Sequence, residues 1–347
     1  MLSVLMKGSG FERGRAQVQA CKEQIKKAYA ELCKPIKLSP EEKRLHIGNF
    51  LKKLEEGYPE LIDEMRGMAA EAGLEGLDQI AELTLWEELK AYSSQQLVNN
   101  ACTSIAFTRT MDGPLIGKTT DIEDFQRPYY ILQFIEPEEG YSLLSMGKVG
   151  SIKTEVGLNE KGLSIATGSV LPLDGGEPGI ERMTLARIVL QTCSDVDEAI
   201  ALISQYNLIR LGLYFLLVDR SGKACVVEKS ISHQGIRFPD EKGIIFATNF
   251  YMVPSMARYI DKSAFYYQNA LERYINLFNL KESSLPQEGL RGMKKILQNH
   301  SPIGPICAHF KDLGMCSFYA FLIVPAERKL MITDGYPCQE EFKEFKI

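Results

Sequence analysis

Histidine is scarce in this 347-residue chain, with four in all, and tryptophan occurs once. His46, His233, His300 and His309 form no HxxxH or HExxH pair, and the cysteines at 21, 33, 102, 193, 225, 307, 316 and 338 include no CxxC. That spacing argues against a zinc site unless distant residues converge. Neither GxxxxGK[ST] nor GxGxxG occurs, so phosphate chemistry by those two loops is set aside. No apolar run approaches the ~20 residues that cross a bilayer, and Met1–Met6 is too short an apolar stretch for a signal peptide. Charge of one sign is not in excess: 40 Lys+Arg stand against 45 Asp+Glu, a formal net charge of -5. A mildly acidic chain lacks the basic footprint of a nucleic-acid binder. A chain of this size does not need disulfide staples, and the cysteines show no regular framework. The composition therefore reads as a cytoplasmic globular protein with reduced thiols and without metal or organic cofactor.

What is there is an ordinary folding mixture, 45% hydrophobic and 24% charged. The first hundred residues read as helix, with apolar positions at helical spacing over 14–33 and a stop before Pro35. Ser39-Pro40-Glu41-Glu42 spells a capping box with proline at the first helical position. Further helices are expected from Pro59 to Ala72 and from Leu77 to Tyr92, followed by a polar loop over 93–101. The pattern changes at Cys102. Strands are expected over 103–109, 115–119, 129–135, 141–146, 151–157, 163–169, 214–218, 224–228 and 244–248, with a closing hairpin over 317–324 and 329–333. Helices are expected over 181–192, over 195–206 with Ser194 as N-cap, over 261–280 and over 286–299. Hairpins followed by grouped helices argue α+β rather than alternating βαβ units.

Cys102 stands where the polar loop meets a strand, which by itself fits a small buried hydrophobe as well as a nucleophile. Its company is more specific. Gly8-Ser9-Gly10-Phe11-Glu12-Arg13-Gly14, Pro59 to Ala69, Cys102-Thr103-Ser104-Ile105-Ala106, Gly117-Lys118-Thr119-Thr120-Asp121, Val156 to Leu163, Ala247-Thr248-Asn249, Ile306-Cys307-Ala308-His309 and Asp334 to Cys338 follow one another in order. Together they resemble the penicillin acyltransferase family (acyl-coenzyme A:6-aminopenicillanate acyltransferase) of N-terminal-nucleophile hydrolases. The resemblance implies a four-layer αββα fold with a helical N-terminal pro-segment over 1–101 and a catalytic chain over 102–347. It implies a zymogen that cuts itself between Ala101 and Cys102, two chains that stay associated, and a cysteine that transfers an acyl group to an amine or to water. The acyl donor would be an amide or a thioester of coenzyme A or an acyl-carrier protein.

The chemistry suits these residues. A free α-amine on Cys102 titrates near 7.7–8.0 when unperturbed and can serve as the base for its own thiol. In the family, the matching aspartate, Asp121, holds that amine, and the amide of Asn249 with the N–H of Thr120 receives the oxyanion. On local sequence alone, Asp121 is equally a solvated acid beside Glu123 and Asp124, and Asn249 an Asx turn. Departures touch the pocket: Thr119-Thr120 replaces Asn-Trp, Lys118 stands where bile-salt hydrolases carry arginine or is only a solvated strand residue, and Leu83 to Glu88 keeps only the final acid of its motif. Cys307 and His309, two apart on one strand, point the same way without an implied hydrogen bond. Glu228 resembles a family acid and is equally a structural residue, whereas Trp86, Tyr129 and Tyr130 read as core residues rather than ligand platforms. A different class of reading is an unprocessed, catalytically silent binder of a small acylated ligand.

Overall fold

A computed structural model describes residues 1–94, 101–177, 179–263, 265–310 and 315–347. The N-terminal part holds β1 (Leu2–Gly8), α1 (Gly10–Ala28), α2 (Pro40–Gly57), α3 (Pro59–Ala72) and α4 (Leu77–Ser94). Strands β2 (Ala101–Phe107), β3 (Leu115–Ile122), β4 (Tyr130–Pro137), β5 (Leu143–Lys148), β6 (Val156–Asn159) and β7 (Ser164–Val170) follow. Then come α5 (Arg182–Thr192), α6 (Val196–Ser204), β8 (Gly212–Val218), β9 (Ala224–Lys229), β10 (Gln234–Arg237) and β11 (Ile244–Ala247). The chain ends with α7 (Phe265–Lys281), α8 (Leu290–Leu297), β12 (His309–Phe310), β13 (Met315–Val324), β14 (Lys329–Ile332) and β15 (Lys343–Lys346).

Two sheets result. One runs β1-β4-β5-β6-β7-β8-β9-β10 and the other β11-β2-β3-β13-β14-β15, with β12 beside β13. Strand alternation sends each strand's apolar residues to two different layers. Leu132, Met146, Leu158 and Leu216 of the first sheet meet Ala106, Ile116, Phe321 and Ile323 of the second in one core. The opposite face of the first sheet, with Ile131, Ile165 and Phe215, packs on Ile25, Leu61, Leu185 and Val189 of the helices. The outer face of the second, with Ile105, Phe107 and Leu322, packs on Leu277, Met293 and Leu297 of α7 and α8. The order is therefore helix, sheet, sheet, helix, the αββα arrangement expected from the resemblance.

The N-terminal part is not purely helical. Val4 and Met6 are buried while Leu5 and Lys7 are exposed, a period-two pattern, and β1 pairs in parallel with β4. After it, Ser9 and Glu12 form a second capping box that the sequence reading passed over. The Ser39–Glu42 box is present, and α3 ends at Gly73 with φ of 71°, a left-handed stop suited to glycine. The N-cap of α6 is Asp195, whose carboxylate accepts from the N–H groups of Asp197 and Glu198, rather than Ser194. The strand expected over 151–157 begins only at Val156. Helices α1 and α3 touch backbone to backbone: a Cβ at Gly10, Gly14 or Gly67 would run into main-chain atoms of the facing helix.

Buried ion pairs brace this N-terminal part and tie it to α5 and the residues around β5. Arg13 Nε lies 2.8 Å and Arg187 Nη2 3.2 Å from Glu64 Oε2. Glu87 of α4 lies 3.3 Å from both Lys148 and Lys153 and 2.7 Å from Arg182. Lone charges at such depth are strongly unfavourable, so each carboxylate depends on its cations.

Candidate active site

Cys102 lies near the start of β2, an interior strand between β11 and β3, and is buried. It pairs with Thr120, and Ala101 pairs with Asp121. Residues Ala106 and Ile116 belong to the core between the sheets, Ile105 and Leu115 to the helix-side core. The period of two therefore puts Cys102, Ser104, Lys118 and Thr120 between the sheets, and Thr103, Thr119 and Asp121 on the helix side.

The inter-sheet side is polar and closely bonded. The Ser104 hydroxyl meets the Tyr214 hydroxyl of β8 at 3.0 Å. Lys118 is fully buried, not solvated; its Nζ donates to Thr120 Oγ1 at 2.7 Å and to Glu155 Oε1 at 3.0 Å. Thr120 Oγ1 donates to the same Glu155 oxygen at 2.7 Å. Burial pushes the Cys102 thiol up to about 11, with the Lys118 ammonium pulling the other way. Burial would lower Lys118, but Cys102 and Glu155 hold its pKa above the ordinary value. Burial of the thiol thus opposes its ionisation, and the neighbouring Lys118 ammonium favours it.

On the backbone, the Cys102 N–H donates to Asn249 Oδ1 at 2.9 Å. Arg273, buried on α7, donates from Nη1 to the Cys102 carbonyl and, at 2.8 Å, to Thr103 Oγ1, while Nη2 donates to Asn249 Oδ1 at 2.9 Å. Asn249 Nδ2 donates to the Ser169 carbonyl at 2.9 Å. Two N–H donors aimed at one amide oxygen determine which way the Asn249 amide faces. Asp121 is buried, not solvated, and accepts from the Ser317 hydroxyl. Burial pushes its carboxyl up to about 6, against the pull of Arg273, Ser317 and Lys118.

The structure therefore gathers Ala101, Cys102, Thr120, Asp121 and Asn249 around one peptide bond. The thiol and the Asp121 carboxylate lie on opposite faces of the sheet, with Asp121 paired across the strands with Ala101. Thr120 also pairs with Tyr319 of β13, which puts its main chain inside the sheet ladder. Glu228 accepts from the N–H groups of Met252 and Val253, each at 2.8 Å, and so fixes the loop just after Asn249. Trp86 is buried with the Lys148 ammonium 4.6 Å from its ring centre. Tyr130 is buried in the inter-sheet core, and Tyr129 in the core under the helices.

Arg273 escaped the sequence reading because no motif surrounds it. The available signal was helical spacing: Ala270, Arg273 and Leu277 lie on one stripe, an arginine among residues that face the core.

Residues 108–331 match the family described as acyl-coenzyme A:6-aminopenicillanic acid acyl-transferase. The chain belongs to that acyltransferase family. The matched stretch holds Lys118, Thr120, Asp121, Asn249 and Arg273 and begins after Cys102. No curated protein sequence matches the chain. Among solved structures, a Caenorhabditis elegans ortholog of N-acylethanolamine-hydrolyzing acid amidase aligns at 13% identity and a TM-score of 0.47, covering 71% of this chain and 100% of that one. Penicillin V acylase from Agrobacterium tumefaciens aligns at 14% identity and a TM-score of 0.43, covering 71% and 86%. A mutant of conjugated bile acid hydrolase from Clostridium perfringens aligns at 15% and 0.45, covering 71% and 97%. Among the described residues, no helix is long and apolar enough to cross a membrane.

Proposed function

We propose that this chain is a self-processing cysteine enzyme that cuts Ala101–Cys102 and then forms an acyl-enzyme at Cys102, passing the acyl group to an amine or to water. The observation that carries this reading is the pair of buried side chains on the Cys102 main chain: Asn249 on its N–H and Arg273 on its carbonyl and on Asn249. A cysteine that only fills a core needs no such arrangement.

In the first step the Cys102 sulfur attacks the Ala101 carbonyl carbon, and the Cys102 nitrogen leaves as an amine. Water then hydrolyses the Ala101 thioester, giving a carboxylate on Ala101 and a free Cys102 N-terminus. That amine takes the thiol proton, the thiolate attacks an acyl amide or thioester, and the acyl group moves on to its acceptor. Asp121 is assigned to hold the amine, and the Asn249 amide with the Thr120 N–H to receive the oxyanion. For that role the Asn249 Nδ2 must turn from the Ser169 carbonyl, to which it donates in the uncut chain. Residues 1–101 are the small chain and 102–347 the catalytic chain, held together by the β1–β4 pairing, the Arg187–Glu64 ion pair and the Glu87 ion pairs.

The test is the intact mass of the denatured protein beside a Cys102→Ala control. Fragments ending at Ala101 and beginning at Cys102, in the wild type alone, support the reading. A chain that stays whole across pH and incubation time overturns it and leaves the silent binder of an acylated ligand.

A further inference from the structure

Away from Cys102, on the surface between β12 and the segment after β14, four side chains converge from irregular positions in the sequence: His300, Cys307, His309 and Cys338. One ligand atom from each lies within 4.8 Å of every other. Cys307 Sγ is 3.3 Å and Cys338 Sγ 3.4 Å from His309 Nε2, and the two sulfurs are 3.7 Å apart. From these distances we propose that His300, Cys307, His309 and Cys338 bind one zinc ion in a tetrahedral two-sulfur, two-nitrogen site.

The distances fit a metal rather than a disulfide. A disulfide needs sulfurs about 2.05 Å apart. Zinc bonds of about 2.3 Å to sulfur and about 2.0–2.1 Å to nitrogen place tetrahedral ligand atoms about 3.8 Å apart for two sulfurs and about 3.5 Å for sulfur and nitrogen. The three separations among Cys307, Cys338 and His309 lie close to those values, and His300 stands within 4.8 Å of each. Binding would release the two thiol protons and set two negative sulfurs against one dication, a neutral site that suits the burial of Cys307. His300 and His309 are exposed, which leaves a path for the ion.

The surroundings are organised as a clasp. The N–H groups of Ile306 and Cys307 both donate to the Asn299 carbonyl. The Asn276 amide bonds the Asn299 side chain at 2.8 Å and the Gly304 carbonyl at 2.7 Å. His309 stacks on Tyr336 with ring centres 3.9 Å apart, and Gln298 donates to the Pro337 carbonyl at 2.8 Å. The ion would therefore join the loop after α8 to the C-terminal segment. Between Cys307 and His309, the Ala308 N–H donates at 2.8 Å to Ser317 Oγ, whose hydroxyl holds Asp121. The site is a structural one that braces the positioning of Asp121.

The test is elemental analysis of full-length protein after exposure to equimolar zinc and removal of free ion. About one zinc per chain is expected, falling to background in Cys338→Ser and His300→Ala, while Cys316→Ala retains it. Blocking the thiols of the wild type with a mercurial should release the ion, which keeps the proposal testable if a variant fails to fold. Cobalt(II) in its place should give the intense visible bands of a tetrahedral thiolate site. Wild-type protein with free thiols and no bound zinc, or with a Cys307–Cys338 disulfide in its non-reduced mass, would overturn the proposal.

Discussion

The amide oxygen of Asn249 accepts the N–H of Cys102 at 2.9 Å. The bond places the side chain that follows β11 on the peptide nitrogen that self-cleavage would release. Arg273 completes the triangle by bonding both residues at once. In the uncut chain this arrangement holds the backbone of Cys102 while its sulfur projects to the other layer.

Arg273 reaches four acceptors with one planar fork, the Cys102 carbonyl and the side-chain oxygens of Thr103, Asn249 and Asn269, a geometry that a lysine ammonium cannot copy. If the chain cuts itself as proposed, Arg273→Lys should slow that cleavage by about 10²-fold, the lower end of what losing one positioned donor costs. A mass-spectrometric time course reads this directly. Cleavage at the wild-type rate would remove Arg273 from the site.

Asp121 carries a testable sign. With its carboxyl raised to about 6 by burial, it binds its proton in the folded chain at a higher pH than in the unfolded chain. Its ionisation therefore costs stability, and that cost builds as pH rises from about 4 to about 6. In a Cys102→Ala background, Asp121→Asn should reduce the fall in Tm across this window. If the carboxylate also holds the amine of the cut enzyme, turnover falls on the acid side as that amine takes up a proton, and Asp121→Asn lowers turnover and moves that limb to lower pH. Parallel Tm profiles with and without Asp121 would refute the first expectation, and an unchanged acid limb the second.

Glu64 is shared by Arg13 of the N-terminal part and Arg187 of α5. Glu64→Gln leaves two buried guanidinium groups without their counter-ion and should cost about 3–5 kcal/mol. Denaturant unfolding of the Cys102→Ala chain and its Glu64→Gln derivative measures the difference.

Gly14→Ala tests the packing of α1 on α3. The added methyl would collide with the Glu64 main chain, so the helices must separate. A loss of about 1–3 kcal/mol is expected, whereas Gly48→Ala, which meets nothing, should be neutral or stabilising because alanine favours a helix interior.

Much of the fold was readable where a local rule decides it. The Ser39–Glu42 box, the Gly73 stop and the hairpin of β13 and β14 depend on residues within a few positions of one another. β1 was missed although Val4 and Met6 alternate with exposed neighbours, because a short parallel strand depends on β4, far along the chain. The polar loop read over 93–101 falls largely on 95–100, outside the described residues. The site divides in the same way. Cys102, Thr120, Asp121 and Asn249 came from ordered motifs, whereas Arg273 is one arginine on a helix and announces itself only by what it touches. The depth of Lys118 was equally invisible, since its partner Glu155 lies on another segment. His300, Cys307, His309 and Cys338 follow no regular interval, and only the fold brings them together.

The parallel strand at the N-terminus also imposes an order on the making of this protein. The residues of β1 leave the ribosome well before their hydrogen-bonding partner in β4, which is synthesised more than a hundred residues later. Asn249 and Arg273, which grip Cys102, arrive later still. Nascent β1 must wait as an unsatisfied edge until β4 appears, and the Ala101–Cys102 bond cannot meet its full set of neighbours before α7 has docked. A scission that depends on those neighbours would be a readout of completed folding, and chains 1–101 and 102–347 made separately would have to rebuild by strand exchange what the single chain builds in sequence.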